Sequence, residues 1–157
     1  MSETSEGKRS PSAATWLMMA AGLGLVMGFA ALLVRAQALP TGVVEVVWDR
    51  EVCAHCKMHI GEPGFAAQLQ LEDGRVMNFD DPGCLFRHLG RDIGKVRATY
   101  FHHVHEDRWM SEDATGFVRK EPTPMGFGLG AVDRSEPGAM LPEAARRHVE
   151  GGTEVHP

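Results

Sequence analysis

The stretch FAAQLQLEDGRVMNFDDPGCL, residues 65–85, sets two apolar runs on either side of Glu72-Asp73-Gly74 and ends in an acidic pair, Pro82 and a cysteine. Asp-Gly between strand-forming segments is a hairpin signal, because the turn needs a positive backbone φ that glycine supplies. Residues 65–71 and 75–79 are therefore expected as an antiparallel pair. Asp80-Asp81-Pro82 reads as a helix start: an acidic cap, a proline at the first helical position, then apolar spacing at Cys84, Leu85 and Leu89. Gly90 is the expected stop.

Outward from this unit, residues 43–48 (VVEVVW) are β-branched and apolar and are expected as a first strand. Further strands are expected over 96–104, 116–119 and 129–133, and a closing helix over 142–149, ended by Gly151-Gly152. Residues 121–130 (EPTPMGFGLG) hold too much proline and glycine for a regular element and read as a loop. The expected fold class is α+β: a small antiparallel sheet with packed helices, in ββα-type units, preceded by one N-terminal transmembrane helix.

That helix is read from ATWLMMAAGLGLVMGFAALLV, an uncharged run between Lys8-Arg9 and Arg35. About 20 apolar residues cross a hydrocarbon core of roughly 30 Å. A secretory signal has a shorter apolar core, although Ala36-Gln37-Ala38 offers a cleavage pattern. The reading favoured is an uncleaved signal anchor over 13–35, with residues 1–12 as a cytoplasmic tail, 36–42 as a linker and 43–157 as a periplasmic domain. Lys8 and Arg9 set that orientation. The protein is thus expected at the inner membrane, single-pass, with its main domain in the periplasm. The chain carries a net charge of -5. Its one tight basic pair after the anchor, Arg146-Arg147, reads as a solvated helix face, so nucleic acid is not an expected partner.

Residues 53–60, CAHCKMHI, place two thiols, a thioether and two imidazoles in eight positions. Export makes thiols prone to oxidation, yet three cysteines, Cys53, Cys56 and Cys84, leave at least one unpaired. C-x-x-C serves haem attachment, disulfide exchange, zinc and soft monovalent metals alike. Lys57 after the second cysteine excludes the haem motif, and Gly61, Pro63 and Gly64 follow too soon for a helix-opening redox pair. Zinc wants four ligands in a tetrahedron, which Cys53, Cys56, Cys84 and one of the histidines could supply, but there is no second C-x-x-C or H-x₃-H pair. A Cys53–Cys56 disulfide would close too small a loop to gain much stability. Cys84, at a core position of its helix, reads as a packing cysteine. Met58 and Met125, both outside regular elements, add thioethers that suit Cu(I) better than zinc. In the run FHHVH, strand alternation sets His103 and His105 on one face, and that face is the expected source of an imidazole ligand. No phosphate loop, nucleophile elbow or zinc-protease helix is present, so an enzyme is not expected.

Cys53-Ala-His-Cys56-Lys-Met58, the FAAQ segment, Phe79-Asp80-Asp81-Pro82-Gly83-Cys84-Leu85 and Thr123-Pro124-Met125-Gly126-Phe127-Gly128 together resemble the NosL family of copper-binding accessory proteins of nitrous oxide reductase maturation. The likeness spans about residues 44–152. It implies a membrane-tethered periplasmic Cu(I) chaperone whose ligands fall on Cys53, Cys56, Met58 and Met125. It also implies delivery to nitrous oxide reductase or another cupro-enzyme, with a membrane ABC-type maturation complex as partner. Two departures stand out. No cysteine precedes Cys53 to carry a lipid, and His55 lies between the cysteines where an aromatic is frequent. The rival expectations are a membrane-tethered thiol-disulfide oxidoreductase and a zinc-stabilised binding module.

Overall fold

The structure, a computed structural model, describes residues 12–36 and 39–152. The chain divides into two compact units after Leu39. In the first, helix α1 (Ala13–Ala36) contains a window, Trp16–Leu33, of mean hydropathy 2.0 with none of it buried. It is long and apolar enough to cross a membrane. Most of the expected cytoplasmic tail, Gln37 and Ala38 of the linker and cleavage pattern, and residues 153–157 lie outside the described residues.

The second unit is built on the hairpin. β1 (Ala67–Leu71) pairs antiparallel with β2 (Val76–Phe79), with Ala67 opposite Phe79, and Gly74 takes φ +90° in the turn. α2 (Pro82–Leu89) starts where the sequence places it: the Asp81 side chain accepts from the Gly83 N–H at 2.7 Å. β3 (Val96–His102) pairs with the other side of β1, and β4 (Trp109–Ser111) pairs with β3, giving the sheet order β2-β1-β3-β4. β5 (Thr115–Arg119) and β6 (Leu129–Asp133) form a separate two-stranded antiparallel sheet, and α3 (Pro142–Gly151) closes the unit against α2. The fold class is α+β. Phe86 of α2, Phe101 of β3 and Phe117 of β5 meet with ring centroids 4.9–5.7 Å apart, so one aromatic cluster ties the helix to both sheets.

One expected strand does not form. Residues 43–47 join no ladder. Gln68, fully buried in β1, holds them instead: its Oε1 accepts from the Val44 N–H at 2.9 Å and its Nε2 donates to the Val44 carbonyl at 2.8 Å. Gln70 donates to the Gly42 carbonyl at 2.7 Å. β1 already has β2 and β3 on its two edges, so the extra segment can reach it only through side chains. The strand expected over 96–104 also ends early, at His102, and β4 has no counterpart among the expected strands.

Replacing Gln68 by Leu keeps the volume but strands the N–H and C=O of Val44, at a cost of about 1–3 kcal/mol for each group that water fails to reach. A lower urea midpoint and faster amide exchange at Val44 are the expected results. An unchanged midpoint would mean the clasp adds nothing.

Candidate metal centre

The C-x-x-C segment forms a tight turn whose geometry follows from three backbone bonds. Lys57 N–H donates to the Cys53 carbonyl at 3.1 Å, Cys53 N–H to the Met58 carbonyl at 2.8 Å, and Ala54 N–H to the Asn78 carbonyl of β2 at 2.9 Å. Lys57 takes φ +68°, a left-handed conformation that a side chain rarely adopts and that the closed turn requires here. The turn is therefore tied to the hairpin, and α2 follows the hairpin directly.

This arrangement brings a third thiol in. The sulfurs of Cys53, Cys56 and Cys84 all lie within 4.8 Å of one another, with Cys53 and Cys84 fully buried and Cys56 half-buried. Cys84 is a core cysteine, as its helical position indicates, but it also belongs to the thiol group. Its thiol donates to Cys53, which, with the N–H groups of Asp80, Cys56 and His55, lowers the Cys53 pKa against the opposing effect of burial. Cys84 is pushed up by the same bond and by burial, and Cys56 is pushed up chiefly by burial. The bond between them thus favours the thiolate form at Cys53 and the thiol form at Cys84.

Two imidazoles lie close enough to feel the charge of Cys53, although neither belongs to the group of three sulfurs. His55 sits inside the C-x-x-C turn, and His88 lies one helical turn after Cys84 on α2; their ring centroids are 6.1 Å apart. Burial, then the positive charge of Arg91, lowers the pKa of both, which favours the neutral, ligating form, against the charge of Cys53, which raises it. The Nδ1 of each is buried with no hydrogen-bond partner among the described residues. Buried orphan nitrogens of that kind ask for a proton donor or a metal.

The other expected ligands are placed differently. Met58 is 51% exposed at the rim of the turn. Met125 packs against the core, and its N–H donates to Asp81 Oδ2 at 3.3 Å, which fixes the 121–130 loop to the N-terminus of α2. His103 and His105 do not share a strand face, because β3 stops at His102. His103 Nδ1 instead accepts from the N–H groups of His105 and Glu106, closing a turn, and neither histidine belongs to the thiol group. His88 is not among the ligands expected from the sequence. Its signal there is the i, i+4 spacing from Cys84 on an expected helix.

A domain of this kind is a small α+β unit carrying three clustered thiols able to take a metal ion. Its fold is similar to that of the copper chaperone NosL from Shewanella denitrificans in the crystal structure of that protein, with a TM-score of 0.53 at 21% identity, over 71% of this chain and 89% of that one. The fold is NosL-like. Neither a family model nor a curated protein sequence matches the chain.

Replacing Cys84 by Ala removes the bond that favours the Cys53 thiolate. The Cys53 pKa is expected to rise, so that thiolate absorbance near 240 nm falls at neutral pH. Absorbance that persists would mean the backbone N–H groups alone hold the charge.

Proposed function

We propose that this domain binds Cu(I) and hands it on, as a membrane-tethered copper chaperone acting on the periplasmic side. The observation that carries the reading is the group of three sulfurs within 4.8 Å; the buried Nδ1 atoms of His55 and His88, unpartnered among the described residues, offer further donors nearby. Thiolate, thioether and imidazole are the donors that Cu(I) prefers, and it is content with two to four of them. The similar structure is that of a copper chaperone, which points the same way. The recipient is a cupro-enzyme, nitrous oxide reductase in the reading that the sequence motifs favour, reached together with an ABC-type membrane complex. Helix α1 then serves as a single-pass inner-membrane anchor.

The centre acts by graded exposure. Cys53 and Cys84 lie in the core, Cys56 is half-buried and Met58 is exposed. An ion entering or leaving passes along the Met58 and Cys56 side, where an incoming ligand can add before an old one departs. Met125, fixed by Asp81, adds a thioether from the loop.

Zinc is the second reading, because three thiols and one imidazole also form a tetrahedral zinc set. Anaerobic titration of the detergent-solubilised full chain with Cu(I) and with Zn(II), followed by gel filtration and metal analysis, separates the two. About one Cu(I) per chain that displaces zinc is expected. Stoichiometric zinc that survives Cu(I) challenge would overturn the copper reading.

Cys56→Ser is expected to abolish tight copper binding, and Cys84→Ala to weaken it at least tenfold. The double change Met58→Leu, Met125→Leu keeps volume and ordinarily costs under about 1.5 kcal/mol of stability for each swap. It should leave a folded protein with weaker copper affinity in a competition titration against a Cu(I) chelator. Parental affinity in that variant would make both methionines packing residues.

A further inference from the structure

A hollow of about 440 Å³, with none of the three cysteines in its lining, is lined by Glu45, Val46, Val47, Trp48, His102, Asp107 and Trp109. His102, 3% exposed, stands between two half-buried indoles, its ring centroid 6.3 Å from Trp48 and 5.3 Å from Trp109, nearly perpendicular to both. Each ring nitrogen faces an acceptor oxygen, Nδ1 lying 3.1 Å from the His103 carbonyl and Nε2 3.2 Å from Asp107 Oδ1, and the neutral ring donates to one of the two. Two carboxylates, Glu45 and Asp107, stand exposed at the mouth. Glu45 has no ion pair among the described residues, Asp107 keeps Oδ2 free of His102, and no lysine or arginine lines the hollow.

We propose that this hollow binds a guanidinium group, presented as an arginine side chain of a partner protein. Indole faces attract a cation through the ring quadrupole. Open carboxylate oxygens take the parallel N–H groups of a guanidinium, which an ammonium ion matches less well, and the planar fork stacks on indole while doing so. The buried imidazole packs against both indoles, so the aromatic walls are set before a ligand arrives. Residues 45–48 also lead directly into the turn that starts the cysteine segment: Asp49 N–H donates to the Ile60 carbonyl at 2.9 Å, and Ile60 N–H to the Glu51 carbonyl at 3.0 Å. A partner held here is held by the same stretch of chain that carries Cys53. The inference does not rest on copper binding and is tested without metal.

The test is a fluorescence titration of the metal-free full chain in detergent, with Trp16→Phe as the background so that only Trp48 and Trp109 report. The probes are N-acetyl-arginine amide, N-acetyl-lysine amide, tetramethylammonium and free arginine, all at constant ionic strength. Saturable quenching by the blocked arginine is expected, at least tenfold tighter than by the lysine analogue or tetramethylammonium. Free arginine, whose own carboxylate faces Glu45 and Asp107, should bind more weakly than the blocked form. Glu45→Gln and Asp107→Asn are expected to weaken the blocked arginine at least tenfold together while circular dichroism stays unchanged; Glu45→Gln alone, which breaks no hydrogen bond, should already weaken it. The absence of saturation, equal binding of all the cations, free arginine binding as tightly as the blocked form, or undiminished binding in the Glu45→Gln protein would each overturn the proposal.

Discussion

The carboxylate of Asp81 is the hinge of the domain. It is fully buried, and its two oxygens serve different segments. Oδ1 accepts from Gly83 N–H to start α2, and Oδ2 accepts from Met125 N–H to hold the loop. Burial raises its pKa to about 6, opposed by those N–H groups and by Thr123. The charged form is therefore kept in place against a desolvation cost, and the two bonds are what offset it. Gly83 shows how closely the parts fit, since a Cβ there would lie 2.1 Å from the Phe127 ring. Only a glycine lets the loop lie on the first turn of the helix. Without this junction, the loop that carries Met125 would be separate from α2, which carries Cys84 and His88.

Much of the fold is local enough to be legible in residues 65–90. The Asp-Gly turn, the Asp81 cap and Pro82 are decisions made by neighbours a few positions apart, and the hairpin and α2 form where they indicate. The strand expected over 43–48 fails for a non-local reason. Its apolar, β-branched composition suits a strand, but the edges of β1 are taken, and which strand is central is not written in any one segment. β4 is hidden for the opposite reason: three residues, Trp109–Ser111, are too few to show alternation.

The centre is half legible. Cys53 and Cys56 announce themselves by spacing, because the turn that joins them is local. Cys84 joins them only through the hairpin's return and the direction in which α2 leaves it, which is tertiary information. The periodicity that marks Cys84 as a core residue is real, and the core at that point happens to be made of sulfur. For the histidines the difference lies in a boundary. A strand that stops at His102, two residues before its expected end, turns a shared face into a turn in which His103 Nδ1 serves its own backbone.

The clasp made by Gln68 and Gln70 has a mechanical side. The chain between α1 and the domain enters through residues 42–44, and these are gripped by side-chain amides of β1, the strand with neighbours on both sides. Tension drawn along the N-terminal segment passes through these side-chain bonds to an inner strand of the sheet. An edge strand under the same load would peel one bond at a time. The point of attachment thus doubles as a strain relief, keeping load off the turn that carries Cys53.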